Sequence, residues 1–504
     1  MARRSSAAPA APTDPFDPAR DELERLIERL DSEDLGRMQH SEVEALVEKE
    51  GREVLRRLYQ AHLQVRASRE TGDPVVGADG VERGFRRDTQ RALTTVFGDV
   101  EVSRLHLTAR GAPGGLHPLD AELNVPPEQQ SHHVQRRVGW LAANEPFEAV
   151  VATLAQTTGA SVAKRQVEYL TRRAAMDFDA FYAETISEPV ARDRLLVMSF
   201  DGKGIVMRPE ALRPATKRAA EASPRLKHRT SPGEKRGRKR MAQVATVYEL
   251  PVQPRTADDI VAEFGGEHPP RPRPVNKRVW ASIEREPSEV IFDAFYEAAT
   301  RDPKLERTWV VLVDGNEEQL KHIRREAREL GVELTLVLDV IHVLEYIWKA
   351  AWCLHETADP AAEEWVTERL RRLLEGDVSG VASGIRRSAT KRGLSPEQRQ
   401  PMDKCADYLL KYKDMLRYDR YLAAGMPIAT GVIEGACRHL IQDRMDIAGA
   451  RWSLDGAEAV LRLRSLRSSG DFDAYWEFHL RQERERNHFR RYAAHEFPHL
   501  REAA

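Results

Sequence analysis

The chain has 504 residues, of which 41% are apolar and 31% charged, and its formal net charge is −2. That length exceeds one compact core and predicts several domains. A near-neutral balance excludes a uniformly basic protein that coats nucleic acid, so any nucleic-acid contact must be local.

The opening MARRSSAAPAAPTDP lacks the apolar stretch of a secretory signal, and residues 1–16 read as a disordered leader. Residues 17–90 read as helical: DELERLIERLD and EVEALVEKEGREVLRRLYQAHL repeat apolar residues at helical spacing. In 91–127, ALTTVFGDVEVSRLHLTA alternates around Gly98-Asp99, a β-hairpin signal. His106 and His117 flank the break that follows and read as surface or packing histidines. Residues 128–190 return to helices. One ends near Thr157, Ser161 is expected to cap the next, and that next helix carries Lys164, Arg165, Arg172 and Arg173. The pattern fits a DNA-binding helix-turn-helix, or equally an ordinary αα-hairpin.

Residues 191–340 change character. Strands are predicted at 195–200, 242–250, 278–284, 308–313 and 333–338, and helices at 288–300 and 317–330. Three consecutive strands predict an antiparallel meander, and the helical crossovers that follow predict parallel additions. That order matches a ribonuclease-H-like α/β core and not a doubly wound fold. Residues 341–427 read as an all-helical insertion, in which Trp348 and Trp352 share a helix face and read as core. Residues 428–470 complete the core, and 471–504 form a helical tail. The expected fold is therefore multidomain: a ribonuclease-H-like catalytic core interrupted by a helical insertion, after helical and small β-hairpin modules.

Asp201 follows an apolar run in MSFDGKGI, where Asp-Gly is expected to turn the chain. Asp314 follows another in VVLVDGN, and Glu434 falls in the first turn of the helix opened by Thr430 or Gly431 in TGVIEGACRHL. Singly they have ordinary readings, as turn aspartates and a glutamate that complements a helix dipole. Together, with the first and fourth strands adjacent, they can face one point. Phosphodiester cleavage needs charge neutralised on the attacking and leaving oxygens, and two hard cations about 4 Å apart do this. Mg²⁺ suits a few carboxylates and keeps waters. Cys353, Cys405 and Cys437 form no CxxC pair, which excludes a cysteine zinc site and fits a reducing cytoplasm. Cys437 reads as helix packing.

The stretches SFDGKGIVMRPEALR, GEKRGRKRMAQVATVYEL, WVVLVDGNEEQL, DVIHVLEYIWKAAWC, GVIEGACRHLIQDRMDIAGARW and GDFDAYWEFHL carry a resemblance. From about residue 90 to 490 the chain resembles bacterial insertion-sequence DDE transposases of the ISKra group, within the Mutator-like assemblage. The resemblance implies catalytic, metal-ligating Asp201, Asp314 and Glu434, with two Mg²⁺ ions and Mn²⁺ as substitute. It implies a DNA transposase that cuts the ends of an insertion sequence and joins them to target DNA. Expected partners are double-stranded DNA (terminal inverted repeats and target) and a homodimer or higher oligomer. No membrane partner is expected, and the expected location is the bacterial cytoplasm, with the nucleoid. Asp339 and His342 in DVIH match a Cys-or-Asp, two residues, then His motif, and would support the site from behind. Asp339 also ends a strand and stays open as the second aspartate. Relatives often carry a cysteine zinc ribbon where this chain reads LTARGAPGGLHPLD, so no zinc is expected.

The run RLKHRTSPGEKRGRKRM joins the first two strands beside Asp201 and holds Lys227, Arg229, Lys235, Arg236, Arg238, Lys239 and Arg240. These are predicted to bind DNA phosphates, as are Lys203, Lys164, Arg165 and Arg451, with IRRSATKRG a weaker candidate. Trp452 reads as a base-stacking ring or a buried one. Two rival functions fit the same residues: a domesticated DNA-binding protein that no longer cuts, and a host ribonuclease-H-like nuclease.

Overall fold

A computed structural model describes residues 14–185, 193–223, 237–264, 266, 272–447, 449–497 and 500–501. The chain divides into two compact units, residues 1–181 with 473–504, and residues 182–472. The predicted C-terminal tail thus belongs with the N-terminal modules. No helix among the described residues is long and apolar enough to cross a membrane.

The first unit opens with α1 (Asp17–Leu30) and α2 (His40–Ser68), the latter begun by a capping box of Gln39 and Glu42. A two-residue pair, β1 (Val75–Val76) and β2 (Glu82–Arg83), precedes the hairpin β3 (Phe85–Thr95) and β4 (Gly98–Thr108). The hairpin is paired from Phe85↔Thr108 to Thr95↔Gly98. It therefore starts inside the region expected to be helical, because the polar run Arg86–Arg91 shows no alternation to reveal it. Leu93, Val100 and Val102 bury against Leu63 of α2 and against Leu119 and Val125. After α3 (Pro118–Leu123), the helices α4 (His132–Ala142), α5 (Phe147–Thr157) and α6 (Lys164–Ala174) share a core of Val134, Val138, Val150, Leu154, Val167 and Leu170.

The turn between α5 and α6 differs from expectation. Ser161 does not cap α6; Ala163 precedes it, with no side-chain cap. Thr158 shapes the turn instead, donating to the Leu154 carbonyl (2.7 Å) and accepting from the Ala160 N–H (3.0 Å). Gly159 lies against the hairpin tip, where a Cβ would meet the Phe97 carbonyl oxygen at 2.5 Å. The unit ends with α7 (Phe178–Glu184), which runs into the next unit, and with α19 (Phe472–Asn487).

The second unit is built on a mixed sheet of order β7-β6-β5-β8-β9. Its strands are β5 (Arg194–Val206), β6 (Lys239–Pro251), β7 (Val275–Ser282), β8 (Trp309–Val313) and β9 (Leu334–Leu338). β6 is antiparallel to β5 and β7, whereas β8 is parallel to β5 and β9. The meander and the parallel additions both form as their order predicted. Helices α8 (Pro214–Ala222) and α9 (Ala257–Phe264) fall in the connections among β5, β6 and β7. The crossovers are α10 (Pro287–Arg301) and α11 (Glu317–Leu330). The strands β8 and central β5 are apolar on both faces, with Leu196, Met198 and Trp309 fully buried, as a sheet covered on both sides requires.

β9 leads into the helical block α12 (Val340–Ala351), α13 (Pro360–Leu374), α14 (Val378–Lys391), α15 (Pro396–Lys411) and α16 (Tyr418–Ala423). Then come α17 (Gly431–Ala436), a wide π-turn (Cys437–Gln442) and α18 (Leu454–Ser469). These helices cover both sheet edges, which would otherwise expose unpaired backbone groups. On β9, the Tyr418 and Tyr421 hydroxyls donate to the carbonyls of Leu338 (2.8 Å) and Leu336 (3.1 Å). On β7, Ser469 and Ser465 of α18 accept the N–H groups of Val279 (3.0 Å) and Ala281 (3.3 Å). Trp348 and Trp352 are not core: their rings stack on each other at 5.1 Å, and Trp352 is 45% exposed.

Candidate functional site

Asp201 lies inside β5, not at its end. The β5–β6 ladder continues through Asp201↔Val244 to Val206↔Lys239, so the Asp-Gly pair makes no turn. Gly204 gives room to the Lys239 stem instead, since a Cβ there would lie 2.8 Å from Lys239 Cδ. Lys203, two residues on, faces the same side of the sheet as Asp201.

Asp314 is the first residue beyond β8. The parallel register pairs Ser199 with Leu312, and continued two residues it sets Asp201 level with Asp314. The β8–β9 register pairs Val313 with Leu338 and so sets Asp314 level with Asp339. Three aspartates thus occupy one rung of three adjacent strands, which lie about 4.8 Å apart.

Their hydrogen bonding separates them. Asp339 is fully buried and carries two donors on each oxygen. Oδ1 accepts the N–H groups of Ile341 (3.1 Å) and Thr430 (3.2 Å), while Oδ2 accepts the Thr430 hydroxyl (2.5 Å) and pairs with His342 Nδ1 (2.9 Å). It caps α12 and ties down the entry to α17. Asp314 is only half-buried, and Oδ1 accepts the Asn316 N–H at 2.8 Å, leaving Oδ2 without a hydrogen bond among the described residues. Asp201 accepts its neighbour Gly202 N–H on Oδ1 (2.6 Å) and the Cys437 thiol on Oδ2 (3.0 Å). Cys437 is therefore more than helix packing. Its position one turn beyond Glu434 was the signal available in the sequence.

Glu434 stands in the first turn of α17. Burial raises its pKa, and the charges of Asp339 and Asp201 raise it further, so those carboxylates are within electrostatic reach. His342 is pushed up to about 9, chiefly by its hydrogen bond to Asp339, with Asp314 and Glu345 adding to the effect. Among the described residues, no lysine or arginine forms an ion pair with Asp201, Asp314 or Glu434.

The helical block supports the Asp314 turn, a role not read from the sequence. The Tyr408 hydroxyl donates to the Asp314 carbonyl (2.9 Å) and the Tyr412 hydroxyl to the Gly315 carbonyl (2.6 Å). Tyr346 of α12 stacks on Tyr408 at 4.1 Å. Gly315 has φ +91, and a Cβ there would meet the Tyr412 ring at 3.0 Å.

The predicted DNA contacts divide. Lys227, Arg229, Lys235 and Arg236 lie outside the described residues. Arg238 precedes β6 and Lys239 opens it, both partly exposed. The Arg240 guanidinium bonds the carbonyls of Ile283 (2.8 Å), Glu284 (3.4 Å) and Ala211 (3.5 Å), anchoring β6 to its surroundings. Trp452 takes the buried one of its two readings. It is 6% exposed, donates Nε1–H to the Met445 carbonyl (3.0 Å) and lies under the Arg444 guanidinium, so its ring presents no stacking face. Arg451 beside it is exposed. In the first unit Arg165 is exposed, whereas Lys164 pairs with Glu148. His106 and His117 stack on each other at 4.6 Å.

Asp177, His479 and Glu483 are the group, among the described residues, whose ligand atoms lie within 4.8 Å of one another. This buried trio in the first unit could hold a metal, but it already has cations of its own. Arg486 bonds both carboxylates, and Arg173 reaches Glu483 at 3.0 Å. The His479 ring bonds Asp177 at 2.6 Å. A scan against protein-family models finds no match to the chain, and a search of curated proteins finds none either.

Proposed function

We propose that the chain is a DDE-type DNA transposase whose second unit is a ribonuclease-H-like catalytic core. The observation that carries this reading is the placement of carboxylates on the sheet. Asp201 sits on the central strand, Asp314 ends the adjacent parallel strand on the same rung, and Glu434 enters from a helix that follows a helical insertion.

The donor set suits hard divalent cations. All three groups are carboxylates, none is neutralised by a basic side chain among the described residues, and two keep oxygens without a strong donor. Asp201, Asp314 and Glu434 would hold two Mg²⁺ ions, which would supply charge neutralisation at the attacking and leaving oxygens of a phosphodiester. Asp339 has no oxygen left for a metal and acts as a support. It fixes Thr430, and through it the start of the Glu434 helix, while His342 stays protonated beside the carboxylates. Tyr408 and Tyr412 hold the Asp314 turn. Catalysis on this reading is positioning plus electrostatics.

The test is Mg²⁺-dependent nicking of duplex DNA taken from the sequence flanking the gene, with an RNA–DNA hybrid in parallel. Asp201→Asn, Asp314→Asn and Glu434→Gln should each abolish nicking and leave DNA binding intact. Nicking that survives all three substitutions would overturn the assignment, and preferential cutting of the hybrid would point to a ribonuclease.

A further inference from the structure

A cleft of about 410 Å³ opens in the second unit between α11 and the end of α15, and none of the basic residues singled out in the sequence lines it. Lys321, Arg324 and Arg328 line one side, and Lys411 and Tyr412 the other. Glu317 closes the end nearest the Asp314 turn and is already paired with Lys411.

The three cations on α11 follow one another by three and four residues, so they share a face. Among the described residues, Lys321 and Arg324 form no ion pair, and the Arg328 guanidinium bonds only the Arg324 carbonyl (3.1 Å). Their neighbour Arg325, which borders the same stripe but does not line the cleft, takes up Glu326 (2.6 Å) and Glu329 (3.8 Å). Glu317, Glu326 and Glu329 are thus paired with other cations, Glu318 does not line the cleft, and the side chains that do line it carry a net charge of about +3. All three are exposed and line one concavity, where like charges focus the field on an anion. At 1.5 Å per residue the three span about 10 Å. A DNA strand presents one phosphate per about 3.4 Å of axis, so three successive phosphates cover about 7 Å, which that length accommodates.

The cleft is also joined to the candidate site. Tyr412 forms part of its wall and donates its hydroxyl to the Gly315 carbonyl, one residue past Asp314. We infer that this cleft is a binding track for the phosphodiester backbone of a DNA strand that runs past Asp314, with Lys321, Arg324 and Arg328 each holding one phosphate. The inference rests on the nucleic-acid reading of that site and names a surface that reading did not include.

The experiment measures binding of the full chain to a short duplex of arbitrary sequence over a range of salt concentrations. Each phosphate held by a cation contributes about 0.9 to the slope of log K against log salt. The triple variant K321A/R324A/R328A should therefore lower the slope magnitude by about 2.7. The charge-preserving variant K321R/R324K/R328K should keep the wild-type slope, and both should melt as the wild type does. An unchanged slope in the alanine variant would overturn the inference, as would an equal loss in the charge-preserving one. Asp201→Asn and Asp314→Asn separate this outcome from failure of the cleavage reading, since they should keep the slope. If the wild type never nicks DNA yet the slope difference holds, the track stands and the cleavage reading falls. If the wild type shows no salt-dependent DNA binding, both fall.

Discussion

Asp339→Asn distinguishes the supporting aspartate from the proposed metal ligands, because it changes a carboxylate with four donors by a single atom. The amide keeps one acceptor oxygen and turns the other into a donor, which then faces either two backbone N–H groups or the Thr430 hydroxyl and His342. A hydrogen bond to a charged group contributes about 1.5–3 kcal/mol, so losing two in a buried setting should cost about 3–5 kcal/mol. A second readout is the imidazole of His342. Its rise from 6.5 to about 9 corresponds to about 3 kcal/mol. The side chain is 38% exposed, and solvent screening reduces that to about 1–2 kcal/mol. The raised value means that the folded chain keeps this proton longer than the unfolded chain. The stabilisation is complete below about 6.5 and disappears as pH rises through about 9. Urea unfolding at several pH values should show that decline in the wild type and its absence in Asp339→Asn, and NMR titration should return His342 toward 6.5. Asp314→Asn should change stability by less than about 0.5 kcal/mol. An Asp339→Asn protein that unfolds at the wild-type urea concentration, or whose His342 still titrates near 9, would refute the supporting role.

Other substitutions probe the fold beneath the site. Gly159→Ala should lower stability by more than about 2 kcal/mol, because the added methyl meets the Phe97 carbonyl and must displace backbone; a melting temperature equal to the wild type would contradict that packing. Glu249→Ala strands the Arg307 guanidinium, its partner at 3.0 Å, with both groups almost wholly buried. Denaturant titration should show a loss of about 3–5 kcal/mol, most of it recovered when Arg307 is also replaced by an apolar residue. His132 in the first unit is held down to about 4 by burial. The unfolded chain therefore takes up a proton that the folded chain refuses, and stability should fall as pH drops from about 6.5 to about 4, by at most about 3 kcal/mol. His132→Asn should flatten that acid limb, and an unaltered limb would assign the acid lability to another group.

The five strands were legible because each is an apolar run bounded by polar or turn residues, and their order with the intervening helices fixed which could be parallel. The polar half of the β3–β4 hairpin was not legible, since cross-strand pairing holds it without a buried face to leave an alternating pattern. Asp-Gly at 201 misled for a related reason. The pair favours a turn in isolation, but thirteen rungs with β6 carry the strand straight through it. Among the site residues, local sequence placed Asp314 and Glu434 correctly on their elements. Strand order and the Asp-x-x-His motif favoured Asp314 over Asp339 as the second aspartate, although both end apolar strands before a helix. What separates them is long-range: Thr430, 91 residues after Asp339, contributes two of the four donors that fill its oxygens. The same holds for Cys437, whose partner Asp201 is 236 residues away, and for Tyr408, which reaches back 94 residues to Asp314. Motif spacing names the carboxylates. Thr430 and Cys437 come from the segment after the helical block, whereas the hydroxyls that hold the Asp314 turn come from the block itself, so the block is part of the structure that positions the site. Deleting α13 to α16 would strip the hydroxyls from the β9 edge and from the Asp314 turn together.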